Sequence, residues 1–255
     1  MAFLTCTHHS KMLKKSMVFN AVIPENCKDD IPVVYLLHGL SDDHTMWCRR
    51  TSAERYADKY GVALIMPNAD RSFYTDMKYG GKYYSYISTE LVEYTRDLFR
   101  LSHKREKNFM CGLSMGGYGA LKIALRNPDT FAAVTAFSAV ADIVNQIRLD
   151  PQWWPQDIIN IWGEDAAGTV EGSDDDIFAL VKKLEGAEVK PRVRQFCGTE
   201  DFLYEDNIKF KKYMENTSFD YKYFEEAGGH SWDMWDKWLP SALEFFSESY
   251  QAGEQ

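Results

Sequence analysis

Lys107-Asn108-Phe109-Met110-Cys111-Gly112-Leu113-Ser114-Met115-Gly116-Gly117-Tyr118-Gly119-Ala120-Leu121-Lys122-Ile123-Ala124 is the stretch on which the fold turns. A short apolar run enters Gly112-Leu113-Ser114-Met115-Gly116, and a segment with helical apolar spacing leaves it. The pattern G-x-S-x-G between a strand and a helix marks a sharp turn whose glycines let the chain reverse while the serine stands exposed at the apex. Gly116, Gly117 and Gly119 leave room for close helix packing. Five residues of this kind recur by chance in many chains, so it is the flanking strand and helix that give the motif its meaning.

Working outward, Val33–Leu37 is a short, β-rich, uninterrupted apolar run, and Val62–Met66, Phe131–Ser138, Val193–Cys197 and Tyr221–Phe224 are further strand candidates. Uninterrupted runs of this length read as strands covered on both faces, the habit of parallel sheets. Between them lie amphipathic segments predicted as helices at Thr51–Tyr60, Tyr84–Phe99, Gly117–Arg126, Glu205–Glu215 and Trp232–Phe246. The alternation predicts an α/β fold with a mostly parallel, doubly wound sheet. Phe3–Thr7 and Met17–Ile23, joined by a polar turn through Lys14 and Lys15, predict an antiparallel hairpin at the N-terminus. Residues 141–190 break the rhythm and read as a short lid-like insertion over the sheet, so residues 1–255 are expected to form a single domain. Within it, Ser173-Asp174-Asp175-Asp176 has the form of a capping box before a helix at Ile177–Leu184, which accounts for the acidic run better than calcium binding does.

A serine hydroxyl is a poor nucleophile until an imidazole takes its proton. On an elbow of this type the order along the chain is serine, acid, histidine, and His230 is the only histidine after Ser114. It sits in Gly228-Gly229-His230-Ser231-Trp232, a turn between the last strand and the last helix. The acid belongs at a strand end between the two. Asp201, after Val193–Gly198, is the first choice and Glu200 beside it the alternative. A tetrahedral oxyanion needs two backbone donors. Met115, directly after the nucleophile, supplies one; Leu40, following His38-Gly39 at the end of the Val33–Leu37 run, is the natural second, with Gly39 letting the backbone turn inward. His38 precedes the nucleophile and reads as a loop-positioning residue.

Composition narrows the partners. The chain has 255 residues, 45% of them hydrophobic, with 29 Lys+Arg against 38 Asp+Glu and a net charge of −9. An acidic surface repels phosphate backbones and anionic headgroups, so neither nucleic acid nor a membrane is an expected partner. The N-terminal residues have no basic start followed by a sustained apolar stretch, which predicts a cytoplasmic protein. Five scattered cysteines without a C-x-x-C pair read as reduced thiols. No metal-ligand spacing appears, His8-His9 being an isolated pair, and no cofactor is expected.

Leu36-Leu37-His38-Gly39 with Ser41-Asp42-Asp43-His44-Thr45-Met46-Trp47, Met66-Pro67-Asn68, Phe73-Tyr74-Thr75-Asp76, Gly112–Gly119, Gly198-Thr199-Glu200-Asp201-Phe202-Leu203-Tyr204 and Gly229-His230-Ser231-Trp232 together resemble the bacterial tributyrin esterase group. That group is part of the esterase D and S-formylglutathione hydrolase-like family, and the resemblance runs over nearly the whole chain. It implies an α/β-hydrolase fold and short-chain carboxylesterase activity through an acyl-enzyme, with Ser114, Asp201 and His230 matching the family triad. It also implies acetyl or feruloyl esters of plant polysaccharides as candidate substrates. S-formylglutathione hydrolases usually carry histidine where Leu113 and Tyr118 stand here, although the same triad serves thioesters. A binding scaffold of this fold that has lost catalysis usually lacks a triad member, and none is missing. The expected partner is a small-molecule or carbohydrate ester, a second copy of the chain being the other candidate. Trp153, Trp154 and Trp162 in the insertion, and Tyr74 and Asp76 after a strand end, are candidates for the cleft wall, and Trp153, Trp154, Tyr74 and Gly39 are the expected substrate contacts. Trp232, Trp235 and Trp238, spaced i, i+3, read instead as core or subunit-contact residues.

Overall fold

The computed structural model describes residues 1–25, 29–149 and 155–251. Eight strands, β1 (Ala2–Ser10), β2 (Lys15–Ile23), β3 (Val33–Leu37), β4 (Ala63–Pro67), β5 (Asn108–Leu113), β6 (Ala133–Phe137), β7 (Arg192–Gly198) and β8 (Tyr221–Glu226), join one sheet in the order β1-β2-β4-β3-β5-β6-β7-β8. β1 and β2 form the N-terminal hairpin and β2 lies antiparallel to β4; every other neighbouring pair is parallel. The result is the α/β-hydrolase arrangement, a mostly parallel doubly wound sheet with an antiparallel edge.

Helices α1 (Met46–Arg50), α2 (Ala53–Tyr60), α3 (Tyr83–Ser85), α4 (Leu91–Phe99), α5 (Met115–Arg126), α6 (Ile143–Leu149), α7 (Pro155–Trp162), α8 (Ala166–Val170), α9 (Ile177–Leu184), α10 (Tyr204–Met214) and α11 (Trp232–Gln251) cover the sheet. β3, β5 and β6 are buried along their whole length, as two-sided coverage requires. Alternate residues feed separate cores: Val33, Tyr35 and Leu37 belong to the same core as Leu121, Leu180 and Phe210 on one face, while Val34 and Leu36 belong with Ala57, Leu239 and Phe246 on the other. Register then fixes the site. Leu37 lies opposite Gly112, Leu113 opposite Phe137, and Phe137 opposite Phe196, so β3, β5, β6 and β7 end together and release their following loops at one edge.

Two expectations are refined. Within the helix predicted over Tyr84–Phe99, which runs without a break from Tyr83 to Phe99, Tyr86–Glu90 form a π-turn. It ends on Glu90, whose carboxylate accepts hydrogen bonds from Ser10 Oγ (2.6 Å) and from the Lys11 and Met12 amides (2.6 and 3.1 Å), tying the hairpin turn to this segment. The helix at Ile177–Leu184 is present, but its cap is Asp176, which accepts from the Phe178 and Ala179 amides, and not Ser173. Asp175 turns inward to Lys122. The insertion is a set of short helices, α6 to α9, with α9 packed on α5. Trp153 and Trp154 lie outside the described residues. None of the described helices is long and apolar enough to cross a membrane.

Candidate active site

Ser114 leaves β5 with φ +53° and ψ −119°, a conformation few non-glycine residues adopt. Such a backbone costs about 1–3 kcal/mol and persists only where its surroundings over-determine it. Here they do. The Ser114 amide donates to the Phe137 carbonyl (2.9 Å), and the Ser114 carbonyl accepts from the Tyr118 and Val140 amides (3.1 and 3.3 Å). β3 presses against the start of α5 so closely that a Cβ on Gly116 would lie 2.4 Å from the Leu37 carbonyl oxygen and 2.6 Å from that of His38. Only glycine allows that approach.

Two further loops meet at this edge. The His230 Nδ1–H donates to the Asp201 carboxylate, 2.9 Å from Oδ2 and 3.0 Å from Oδ1. The Asp201 side chain is fully buried, that of His230 17% exposed, and Asp201 Oδ1 also accepts the Leu203 amide at 2.8 Å. With Nδ1 committed to the acid, Nε2 is the nitrogen left to act on a hydroxyl. The acid and histidine loops are stitched by their backbones: Thr199 donates to the Glu226 carbonyl (3.0 Å) and Glu200 to that of Gly228 (2.9 Å). Glu200 itself is exposed, which leaves Asp201 as the histidine's acid partner.

The loop after β3 is held by His38, which is buried. Its Nε2 accepts the Ala69 amide (2.9 Å), so Nδ1 carries the proton and donates to the Gly39 carbonyl (2.7 Å), where the Asp42 amide also donates (3.2 Å). Carbonyl and N–H point opposite ways across a trans peptide, so pinning the Gly39 oxygen fixes the direction of the Leu40 N–H. Burial pushes the His38 pKa down and keeps the ring neutral, as this bonding pattern needs. Met115 is the first residue of α5, where an N–H has no partner within the helix.

A cleft of about 640 Å³ opens here, lined by Ser114, His230, Gly39, Leu40 and Met115 among others. Tyr74 is not in its wall, a correction to the sequence reading. It is fully buried, packs against Gly119 and donates its hydroxyl to the His38 carbonyl (2.9 Å), because the turn at Phe73-Tyr74 points Phe73, and not Tyr74, into the cleft. Asp76 caps Ser85, and Trp162 is buried, donating to Asp175 Oδ2 (3.0 Å).

The sequence reading missed several walls. Trp232 and Trp235 line the cleft, the latter edge-on to His230 at 4.9 Å; only Trp238 of that stripe is confined to the core. Phe202, directly after the acid, is 69% exposed and lies 4.4 Å from the His230 ring. Its position beside Asp201 was the available signal. Asp42 also faces the cleft, and burial raises its carboxyl pKa.

A family model described as a putative esterase matches residues 10–246. The chain belongs to that family. This esterase is 32% identical to an acetyl esterase of Caldicellulosiruptor saccharolyticus, over 97% of its own length and 99% of that relative. Among solved structures it is similar to the fluorophosphonate-binding serine hydrolase FphF of Staphylococcus aureus (34% identity, TM-score 0.90, 96% and 98% of the two chains). It is also similar to the S-formylglutathione hydrolase FrmB of the same organism (34% identity, TM-score 0.85, the same coverage). A ferulic acid esterase follows at 26% identity and TM-score 0.80, covering 97% of this esterase and 98% of that chain. The chain is therefore a serine-type ester hydrolase with the α/β-hydrolase fold, the class to which its sequence resemblance pointed.

Proposed function

We propose that this esterase cleaves short acyl esters of alcohols by a two-step serine mechanism. His230 takes the Ser114 proton as the hydroxyl oxygen attacks the ester carbonyl; the tetrahedral oxyanion is held by the Leu40 and Met115 amides; the imidazolium, stabilised by Asp201, then protonates the departing alcohol. Water repeats the cycle on the acyl-enzyme, with His230 again as base. The observation that carries this reading is the pairing of His230 Nδ1 with the buried Asp201, on the wall of the cleft that Ser114 also lines. The similarity to an acetyl esterase favours a small acyl group.

Thioester hydrolysis is the second reading, favoured by the likeness to a solved S-formylglutathione hydrolase. Against it stand Leu113 and Tyr118, where that group usually carries histidines. Rapid mixing with p-nitrophenyl acetate tests the mechanism: a burst of one nitrophenol per protein and an acetyl mass on the Ser114 peptide are expected. A linear start with an unmodified Ser114 would overturn it. Comparing acetyl and butyryl esters with the matching thioesters decides between oxygen and sulfur leaving groups, and higher kcat/KM on oxygen esters is expected.

A further inference from the structure

Lys122 lies about two helical turns beyond Ser114 on α5, and its side chain has no exposure to solvent at all. Lysine is almost never fully buried unless paired. Its ammonium donates to three acceptors: the Phe73 carbonyl (3.1 Å), Thr75 Oγ1 (2.6 Å) and Asp175 Oδ1 (2.9 Å). All three N–H bonds are thus used. Burial works against the Asp175 carboxylate, but Lys122 beside it holds its pKa below the usual range, with Arg126 3.9 Å away on the same carboxylate. Asp175 also accepts the Trp162 indole, and its carbonyl accepts the Tyr118 hydroxyl at 2.8 Å, so the cluster joins the nucleophile helix to the insertion.

The turn that Lys122 grips is strained: Phe73 and Tyr74 both have positive φ, +49° and +52°, without being glycine. From it Phe73 reaches the cleft, while the Tyr74 hydroxyl holds the His38 carbonyl, and His38 in turn pins the Gly39 carbonyl. A continuous series of contacts therefore runs from Lys122 through Phe73-Tyr74 and His38 to the peptide that carries the Leu40 N–H.

We propose that Lys122 is a positioning residue for catalysis, latching the Phe73–Thr75 turn so that Tyr74 and His38 aim the Leu40 amide at the oxyanion. This rests on the proposed oxyanion role of Leu40. A donor aimed in advance acts mainly on the transition state, so its loss lowers kcat more than it raises KM.

Removing one partner of a buried pair is strongly destabilising, whereas replacing both by apolar residues is often tolerated. The test variant is therefore Lys122→Met with Asp175→Leu, checked for folding by thermal melting and assayed on p-nitrophenyl acetate. Its kcat should fall about tenfold, a fraction of the roughly 10²–10³ lost when an oxyanion donor is deleted, while KM stays within about twofold. Its affinity for a trifluoromethyl ketone, which forms a tetrahedral adduct, should weaken by the same factor as kcat/KM. Tyr74→Phe, which removes only the next hydroxyl in the series, should act in the same direction, and combining it with the pair should cost less than the product of the two effects. If the double variant does not fold, Thr75→Val, which removes one acceptor of the Lys122 ammonium from the turn, takes its place with the same expected direction, and an unchanged kcat there would overturn the proposal.

A folded double variant with wild-type kcat, or a Tyr74→Phe enzyme with wild-type kcat, would overturn the proposal and leave the triad untouched. So would a loss confined to KM. Failure of the triad reading has a separate signature: a fluorophosphonate would then leave Ser114 of the wild-type enzyme unlabelled, and the role of Lys122 would go with it.

Discussion

The elbow that carries Ser114 and the paired loops that carry Asp201 and His230 lie at the same sheet edge and are held by different means. The elbow is fixed by backbone: a positive φ, three main-chain hydrogen bonds to Ser114, and a glycine without which β3 and α5 could not meet. The histidine is fixed by its side chain, through two contacts to one buried carboxylate and two aromatic neighbours, Phe202 and Trp235. On the proposed mechanism Ser114 as nucleophile must hold one position, whereas His230 as base passes a proton first one way and then the other. The backbone supports of the elbow, Gly116 above all, should therefore break mostly through folding, and the side chains that meet in the cleft mostly through rate.

The largest effect should come from Ser114→Ala. On the triad reading kcat drops by a factor of about 10⁶, with the melting temperature nearly unchanged because the cleft absorbs the lost hydroxyl; a steady-state assay beside a thermal melt checks both. Asp201→Asn should lower kcat by about 10⁴ with the fold retained, since the amide favours the wrong imidazole tautomer. Gly116→Ala should act on stability, by about 3 kcal/mol in urea unfolding, because the added methyl meets main chain that cannot swing aside. Should Gly116→Ala melt normally, or Asp201→Asn fail to fold, the contrast between the two regions would be lost.

Smaller effects sharpen the contrast. Glu200→Gln should leave kcat within about twofold, because that side chain is exposed and only its amide joins the loops. The last prediction concerns His38. Burial lowers its folded pKa below the unfolded value, so it contributes stability that is present above about pH 6.5 and lost as pH falls through the folded pKa. His8 and His44 are lowered in the same way, so His38→Gln should reduce but not remove the decline in melting temperature below that pH.

The fold was largely legible because its central strands, β3 to β6, are short runs buried on both faces, and β3 begins and ends where the sequence places it. The candidate site was legible where chain order and motif constrain it: Ser114 and His230, distant in the sequence, line one cleft. The remainder depends on contacts between distant segments. Lys122 reads as an ordinary helix lysine until the Phe73–Thr75 turn and Asp175 close over it. Asp175 reads as part of a cap, yet the cap is Asp176 and Asp175 faces the core. Trp232 and Trp235 follow a helical stripe that hides their position at the cleft, since periodicity reports which residues share a face and not what that face meets.

The most direct measurement is a crystal structure of the enzyme after reaction with a small alkyl fluorophosphonate. The account predicts phosphorus bonded to Ser114 Oγ, its free oxygen within hydrogen-bond reach of the Leu40 and Met115 amides, and His230 Nε2 about 2.6–3.2 Å from an oxygen of the adduct. An adduct on another residue, or on Ser114 with the imidazole turned out of reach, would contradict it.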